Sequence, residues 1–198
     1  MNKHTSELDA VNAILRSIGE APVQTLDDSD LVDAHMARQI LHETSREVQG
    51  EGWAWNTVTR RTFKPNFRGE IQLPKKVLWV RGFGRHRGLI KVGERLQDMV
   101  TGETEFDGDV EVEAVYCRDW EELPETARRY IVIRSARRFA EETVGSETLS
   151  AFKSQDEILA RADLVDMETE VRQPNMKDSF DVWEMTEGRG TLKTGLRR

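Results

Sequence analysis

Apolar residues first recur at helical spacing. Leu8, Val11, Ile14, Leu15 and Ile18 fall on one stripe, with Thr5 or Ser6 placed to cap the helix they predict. Gly19 stands where a left-handed C-terminal residue belongs, and Pro22 blocks continuation. Val23 and Leu26 then read as an extended segment folding back on the helix. A second stripe, Leu31, Ala34, Ala37, Ile40, Leu41, Thr44 and Val48, predicts a helix opening at Ser29 or Asp30 and running to about Gln49. Asp30 and Asp33 suit its positive N-terminal end, and Gly50 and Gly52 stop it. Trp53 and Trp55 alternate as in a strand.

The period changes between Ala54 and Cys117. Pro65, Pro74 and seven glycines from Gly69 to Gly108 separate short β-type runs: Val77 to Val80, Leu89 to Val92 and Val110 to Tyr116. In the last run Val110, Val112, Ala114 and Tyr116 alternate with Glu111, Glu113 and Val115, which predicts a half-buried strand. Helix returns after Pro124. Ala127, Tyr130, Ile131, Ile133, Ala136, Phe139, Ala140 and Val144 face a core, with Arg128, Arg129, Arg134, Arg137 and Arg138 largely on other faces. Gly145 ends that helix. The next, from Ser146 or Glu147 to about Val171, carries Leu149, Phe152, Ile158, Leu159, Ala162 and Val165 inward and its acids outward. Residues 174–198 show no sustained period and read as an arm, basic at its end. The fold class is therefore α+β: a bundle of about four helices, an inserted small antiparallel β subdomain and an extended C-terminal arm. The expected divisions are 1–53 and 118–173 for the helical lobe, 54–117 for the β subdomain and 174–198 for the arm.

Composition narrows the function classes. The 198 residues include 33% charged and 37% hydrophobic side chains, with mean hydropathy -0.62. No apolar run approaches the ~20 residues that cross a bilayer, so membrane insertion is not expected. Met1 to Leu8 lack the layout of a signal peptide, which reads as an intracellular product. One cysteine, Cys117, allows no internal disulfide and no cysteine-rich zinc site. The net charge of -7 is uneven: residues 1–52 hold 4 basic and 10 acidic side chains, residues 53–117 hold 11 and 9. An acidic chain is a poor general binder of nucleic acid.

Candidate chemistry is sparse. Arg81, Arg85, His86, Arg87 and Lys91 form one basic cluster in a glycine-rich stretch, able to touch DNA phosphates or an acidic partner, or simply to form a solvated loop. Its Gly-x-Gly lacks the helix and Gly-Lys-Ser/Thr ending of a phosphate loop. His35 and His42 lie seven apart, whereas helical metal pairs use three or four. Glu121–Glu122, Glu141–Glu142 and Asp156–Glu157 are sequence neighbours, which do not face each other across a cleft as glycosidase carboxylates must. No catalytic residue, metal or cofactor is expected.

Three stretches together resemble the tail tubular protein A family of short-tailed bacteriophages. They are ELDAVNAILRSIGEAPVQTL at 7–26, ARQILHETSREVQGEGWAWN at 37–56 and RDWEELPETARRYIVIRSARRFA at 118–140. The telling parts are Ser-Ile-Gly-Glu with its following proline, Gly-Trp-x-x-Asn, and the Leu-Pro that opens a long helix. They cover the helical lobe well, whereas the β insert and the arm have no clear match. The resemblance implies a virion protein of the tail: a ring of about twelve copies between the portal and the nozzle (a tail tubular protein B type), holding DNA in the head and passing it without sequence specificity at ejection. It implies assembly in the host cytoplasm and no catalytic residue. Within such a ring, Arg128, Arg129, Arg134, Arg137 and Arg138 are candidates for salt bridges between subunits. The arm, with Pro174, Phe180, Trp183, Arg189, Lys193, Arg197 and Arg198, is a candidate to order on the portal. A polysaccharide-degrading tail enzyme and a DNA-binding phage module are the alternatives.

Overall fold

A computed structural model describes residues 5–27, 31–144 and 147–172, with backbone alone at 85, 144 and 147–153. Expectations about Ser29, Asp30, Gly145, Ser146 and the whole arm fall outside the described residues, as do those about the side chains of Arg85, Val144, Leu149 and Phe152.

Helix α1 spans Glu7–Arg16. Ser6 caps it reciprocally: its Oγ accepts from Asp9 N at 3.1 Å, and the Asp9 carboxylate accepts from Ser6 N at 3.2 Å. Glu20 N donates to Leu15 O and Gly19 N to Arg16 O, a closing pattern that needs the positive φ of 88° found at Gly19. The next segment does fold back, held by a side chain the apolar pattern ignored. Asn12 Oδ1 accepts from Val23 N at 2.8 Å while its Nδ2 donates to Val23 O at 3.0 Å.

Helix α2 runs Val32–Gly50, starting later than Ser29 or Asp30, with Leu31 at the cap position and no side-chain cap bond. Its expected stripe is buried from Ala34 to Val48, whereas Leu31 stays exposed. Trp53 and Trp55 are not in a strand. They lie in a turn closed by Asn56 N donating to Trp53 O at 3.1 Å. Helix α3 spans Glu125–Val144, and Pro124 sits just before it, its carbonyl accepting from Arg128 N at 3.0 Å. Helix α4 spans Glu147–Arg172. α1 and α2 pack on α3, and α4 packs on α3. Their core holds Val11, Ile14, Leu41, Tyr130, Phe139 and Leu164, closed by Trp53 and Trp120.

The β part contains five strands among the described residues: β1 (Thr57–Phe63), β2 (Val77–Gly82), β3 (Leu89–Val92), β4 (Arg95–Asp98) and β5 (Val110–Tyr116). β1 and β4 were not expected. β1 reads TVTRRTF, whose polar centre hides its period, and β4 has only four residues. β5 lies between β1 and β2, antiparallel to both, and β3 and β4 form a hairpin across Gly93–Glu94. The central place of β5 corrects the half-buried reading: Glu113, Ala114 and Val115 are all buried, so both faces of its second half are covered. A second core, with Ile71, Val77, Leu89, Leu96, Val112 and Ala114, fills the space between sheet and hairpin.

Two burial assignments are also corrected. Arg128 is buried in the core-facing part of α3 rather than on another face. α4 turns the opposite way from expectation: Ala160 and Leu164 are buried, while Ile158, Leu159, Ala162 and Val165 are exposed. The cause is the surface α4 packs on. α3 presents Arg129, Arg134 and Arg137 there, so α4 turns Glu157 and Asp163 toward it.

Candidate functional site

The two lobes meet at a junction built from buried amides. Gln49, at the end of α2, accepts from Arg118 N at 2.6 Å through Oε1 and donates to Arg118 O at 3.2 Å through Nε2. Asn56, fully buried, accepts from Trp53 N at 2.8 Å and donates to Gln49 O at 2.8 Å and Tyr116 O at 3.0 Å. Trp53 Nε1 donates to Val48 O and Trp79 Nε1 to Gly50 O, each at 2.7 Å. Both carboxylate oxygens of Glu168 on α4 accept from Ala54 N, and Arg172 holds that carboxylate. The bonds from Gln49 to Arg118, from Trp79 to Gly50 and from Asn56 to Tyr116 join the end of α2 and its turn to segments of the sheet, so the angle between lobes is set by polar geometry as well as by packing. The apolar periodicity leaves out Gln49 and Asn56 because they are polar, although Asn56 is the asparagine of the Gly-Trp-x-x-Asn stretch. The available signal was Asn56 itself, a turn former three residues after the tryptophan.

The five candidate arginines of α3 all have partners within their own chain. Buried Arg128 donates to Glu121 O at 2.6 Å and Thr5 O at 3.2 Å. Arg129 pairs with Asp163 at 2.8 Å. Arg134 reaches Glu47 of α2 at 3.2 Å and Glu157 of α4 at 3.9 Å. Arg137 holds Glu157 at 2.5 Å and Glu141 at 2.8 Å, and its hydrogen bond to Glu157 raises its pKa further above the guanidinium range. Arg138 reaches Glu47 at 3.0 Å, Thr44 Oγ1 at 3.1 Å and Glu43 at 3.7 Å. Arg161 of α4 completes this web. It lies over the rings of Trp53 and Tyr130 and holds Glu51 at 2.7 Å, a bond that raises its pKa.

The described members of the basic cluster have different surroundings. Arg81 on β2 donates to buried Glu113 at 2.8 Å. Lys91 on β3 donates to Val77 O. A short 3-10 turn, Gly84–His86, crosses back over β2 so closely that a Cβ on Gly82 would lie 1.7 Å from His86 O. His86 lines an open depression of about 280 Å³ with Asp98, Glu103, Glu105, Asp107 and Asp109, an acidic setting. Arg87 is exposed.

Among the described residues, no group of three or more His, Cys, Asp or Glu side chains is placed to hold a metal ion. No described helix is long and apolar enough to cross a membrane. Cys117 is half-buried at the end of β5, and desolvation raises its thiol pKa above the usual 9.0.

Comparison with known proteins accounts for this interaction-rich, two-lobed architecture. A family model described as tail tubular protein matches residues 8–174, which takes in both lobes. The tail tubular protein A of Klebsiella phage KP34 is 32% identical over 128 residues, covering 63% of this chain and 66% of that relative. The chain thus spans slightly less than two thirds of that relative's length. The class these findings define is a structural protein of the bacteriophage tail. Within that class, the chain belongs to the tail tubular protein family.

Proposed function

We propose that copies of this chain assemble into a ring of about twelve subunits that joins the head's portal to the tail nozzle and forms part of the DNA conduit. The observation that carries the reading is the family match, continuous through both lobes from residue 8 to 174. The charge supports it: at -7 per copy, a ring repels a passing polyanion rather than gripping it. The junction of Gln49 and Asn56 supports it too, because a ring closes only if every subunit holds its two lobes at the same angle. The arm from Pro174 onward is the proposed portal-docking element, and the host cytoplasm the place of assembly.

The alternatives have less behind them. A DNA-binding module needs free basic side chains, yet Arg81, Lys91 and the α3 arginines are held by partners in the chain. A polysaccharide-degrading enzyme needs facing carboxylates, yet Glu141 and Glu157 are both held by Arg137.

Native mass spectrometry of the chain, alone and mixed with the portal of its own phage, tests the reading. A complex of about twelve copies on the portal is expected, and deletion of 174–198 should abolish docking. A chain that stays monomeric with the portal present would sink the adaptor role.

A further inference from the structure

Two exposed apolar surfaces have no cover within the described chain. The first is the outer face of α4. At 100° per residue, Ile158, Ala162 and Val165 line up opposite buried Ala160 and Leu164, with Leu159 beside them. Ile158 is 66% and Leu159 58% exposed, and the small, exposed Ala162 stands between larger side chains on this stripe, where it leaves the most room. One edge of this stripe is acidic, formed by Asp163, Asp166 and Glu170. Asp166 and Glu170 engage no cation among the described residues.

The second surface is the turn after β1. Asn66 Oδ1 accepts from Arg68 N at 2.8 Å and from Glu70 N at 3.1 Å, and Asn66 N donates to Glu70 O at 2.8 Å. Phe106 N then fastens Gly69 O at 2.8 Å. This network fixes a tight loop whose tip, Phe67, is 91% exposed. The Arg68 guanidinium lies 5.3 Å from the Phe67 ring centre and takes part in no ion pair among the described residues. A preorganised aromatic beside an arginine has the composition of an interface hot spot, and its ordering cost is already met.

We propose that the Phe67–Arg68 turn of one copy seats on the outer face of α4 of a second copy. Phe67 fills the room left at Ala162, and Arg68 meets the acidic edge at Asp166 and Glu170. Charge favours this occupant: residues 57–70 carry four basic side chains and one acidic, whereas residues 156–170 carry six acidic and one basic. The two surfaces differ, so the contact is head-to-tail, and each added copy leaves one turn and one α4 face open for the next. This inference rests on the ring-forming reading above and names the contact that propagates the ring.

Full-length chain and the variants Phe67→Ser, Val165→Asp, Arg68→Glu, Asp166→Arg and the double variant R68E/D166R test it by native mass spectrometry and sedimentation, alone and on the portal. The four single variants should need at least tenfold more protein to assemble, and the double variant should recover part of that loss. Thermal midpoints should stay at the wild-type value, since all four positions are exposed, which separates lost contact from lost fold. If wild type assembles and Phe67→Ser and Val165→Asp assemble equally well, this contact is wrong while the adaptor reading stands. If wild type never assembles, even on the portal, both fail.

Discussion

Truncating Asn56 to alanine should lower stability far more than its polar character suggests. The side chain is fully buried and makes three hydrogen bonds, to Trp53 N, Gln49 O and Tyr116 O. Alanine strands the Trp53 amide and takes one donor from each of two carbonyls, of which Gln49 O keeps Gly52 N at 3.2 Å. Each buried, unsatisfied polar group costs about 1–3 kcal/mol. Water admitted to the space left by the amide recovers part of this, which puts the loss at about 2–4 kcal/mol. Domains have only about 5–15 kcal/mol in total. At about 2–4 °C per kcal/mol for a domain of this size, the thermal midpoint should fall by about 10 °C. Urea denaturation followed by tryptophan fluorescence measures it directly, because Trp53 and Trp79 both flank the junction. Asn56→Asp keeps shape and acceptor but aims a carboxylate at two carbonyl oxygens, so it should be no milder at neutral pH. A loss below about 1 kcal/mol in Asn56→Ala, the value of one ordinary hydrogen bond, would refute the claim that this amide holds the lobes together.

Other perturbations test other parts of the same account. Leu164→Ala should cost about 2–5 kcal/mol by opening a core cavity, whereas Leu159→Ala, five residues away, should stay within about 0.5 kcal/mol; equal losses in chemical denaturation would contradict the orientation of α4. Arg161→Met removes the Glu51 pair and the stacking on Trp53 and Tyr130. Discounted for solvent exposure, the loss should be about 1 kcal/mol and should shrink little with salt, since the ring contacts are short-ranged. Cys117 should alkylate with a pH midpoint above 9.0, because burial raises its thiol pKa. Its folded form keeps the proton longer than the unfolded chain does, so it also makes stability fall as pH rises through the unfolded pKa. A midpoint below 9.0 would show a solvated thiol.

The helical lobe was legible because its signals are local. Ser6, Gly19 and Pro124 act within a few residues of where they stand, and the stripes of α1, α2 and α3 are backed by a core that extends along each of them. β1 and β4 were missed because their apolar residues are few and their pairing partners lie far along the chain, β1 with β5 across some fifty residues. Two site features were hidden for related reasons. Glu113 marks β5 as an ordinary half-exposed strand until Arg81 is placed beside it by the pairing of β2 with β5. Asn56 and Gln49 look like surface amides until Arg118 and Tyr116 arrive from the other side of the β insert.

The reversal of α4 shows which force chooses between two faces of a helix that each carry apolar residues. A half-turn rotation would bury Ile158, Leu159 and Val165 and expose Leu164, Ala160 and Met167 instead. At about 1.5–3 kcal/mol for each large aliphatic side chain, the net apolar gain is about one such side chain. The same rotation would carry Glu157 away from Arg137 and Arg134, which are only about a quarter exposed, and Glu168 away from Ala54 N. Removing one partner of a buried pair costs roughly 3–5 kcal/mol. Arg134 would keep Glu47 and Arg137 would keep Glu141, so the cost is a fraction of that figure for each, yet with the freed backbone amide it still offsets a single aliphatic. The arginines of α3 therefore act as a register device within the subunit, and the chain accepts an uncovered apolar face on α4 as the consequence. An isolated subunit gains nothing from that face, and an assembling one gains a site for its neighbour.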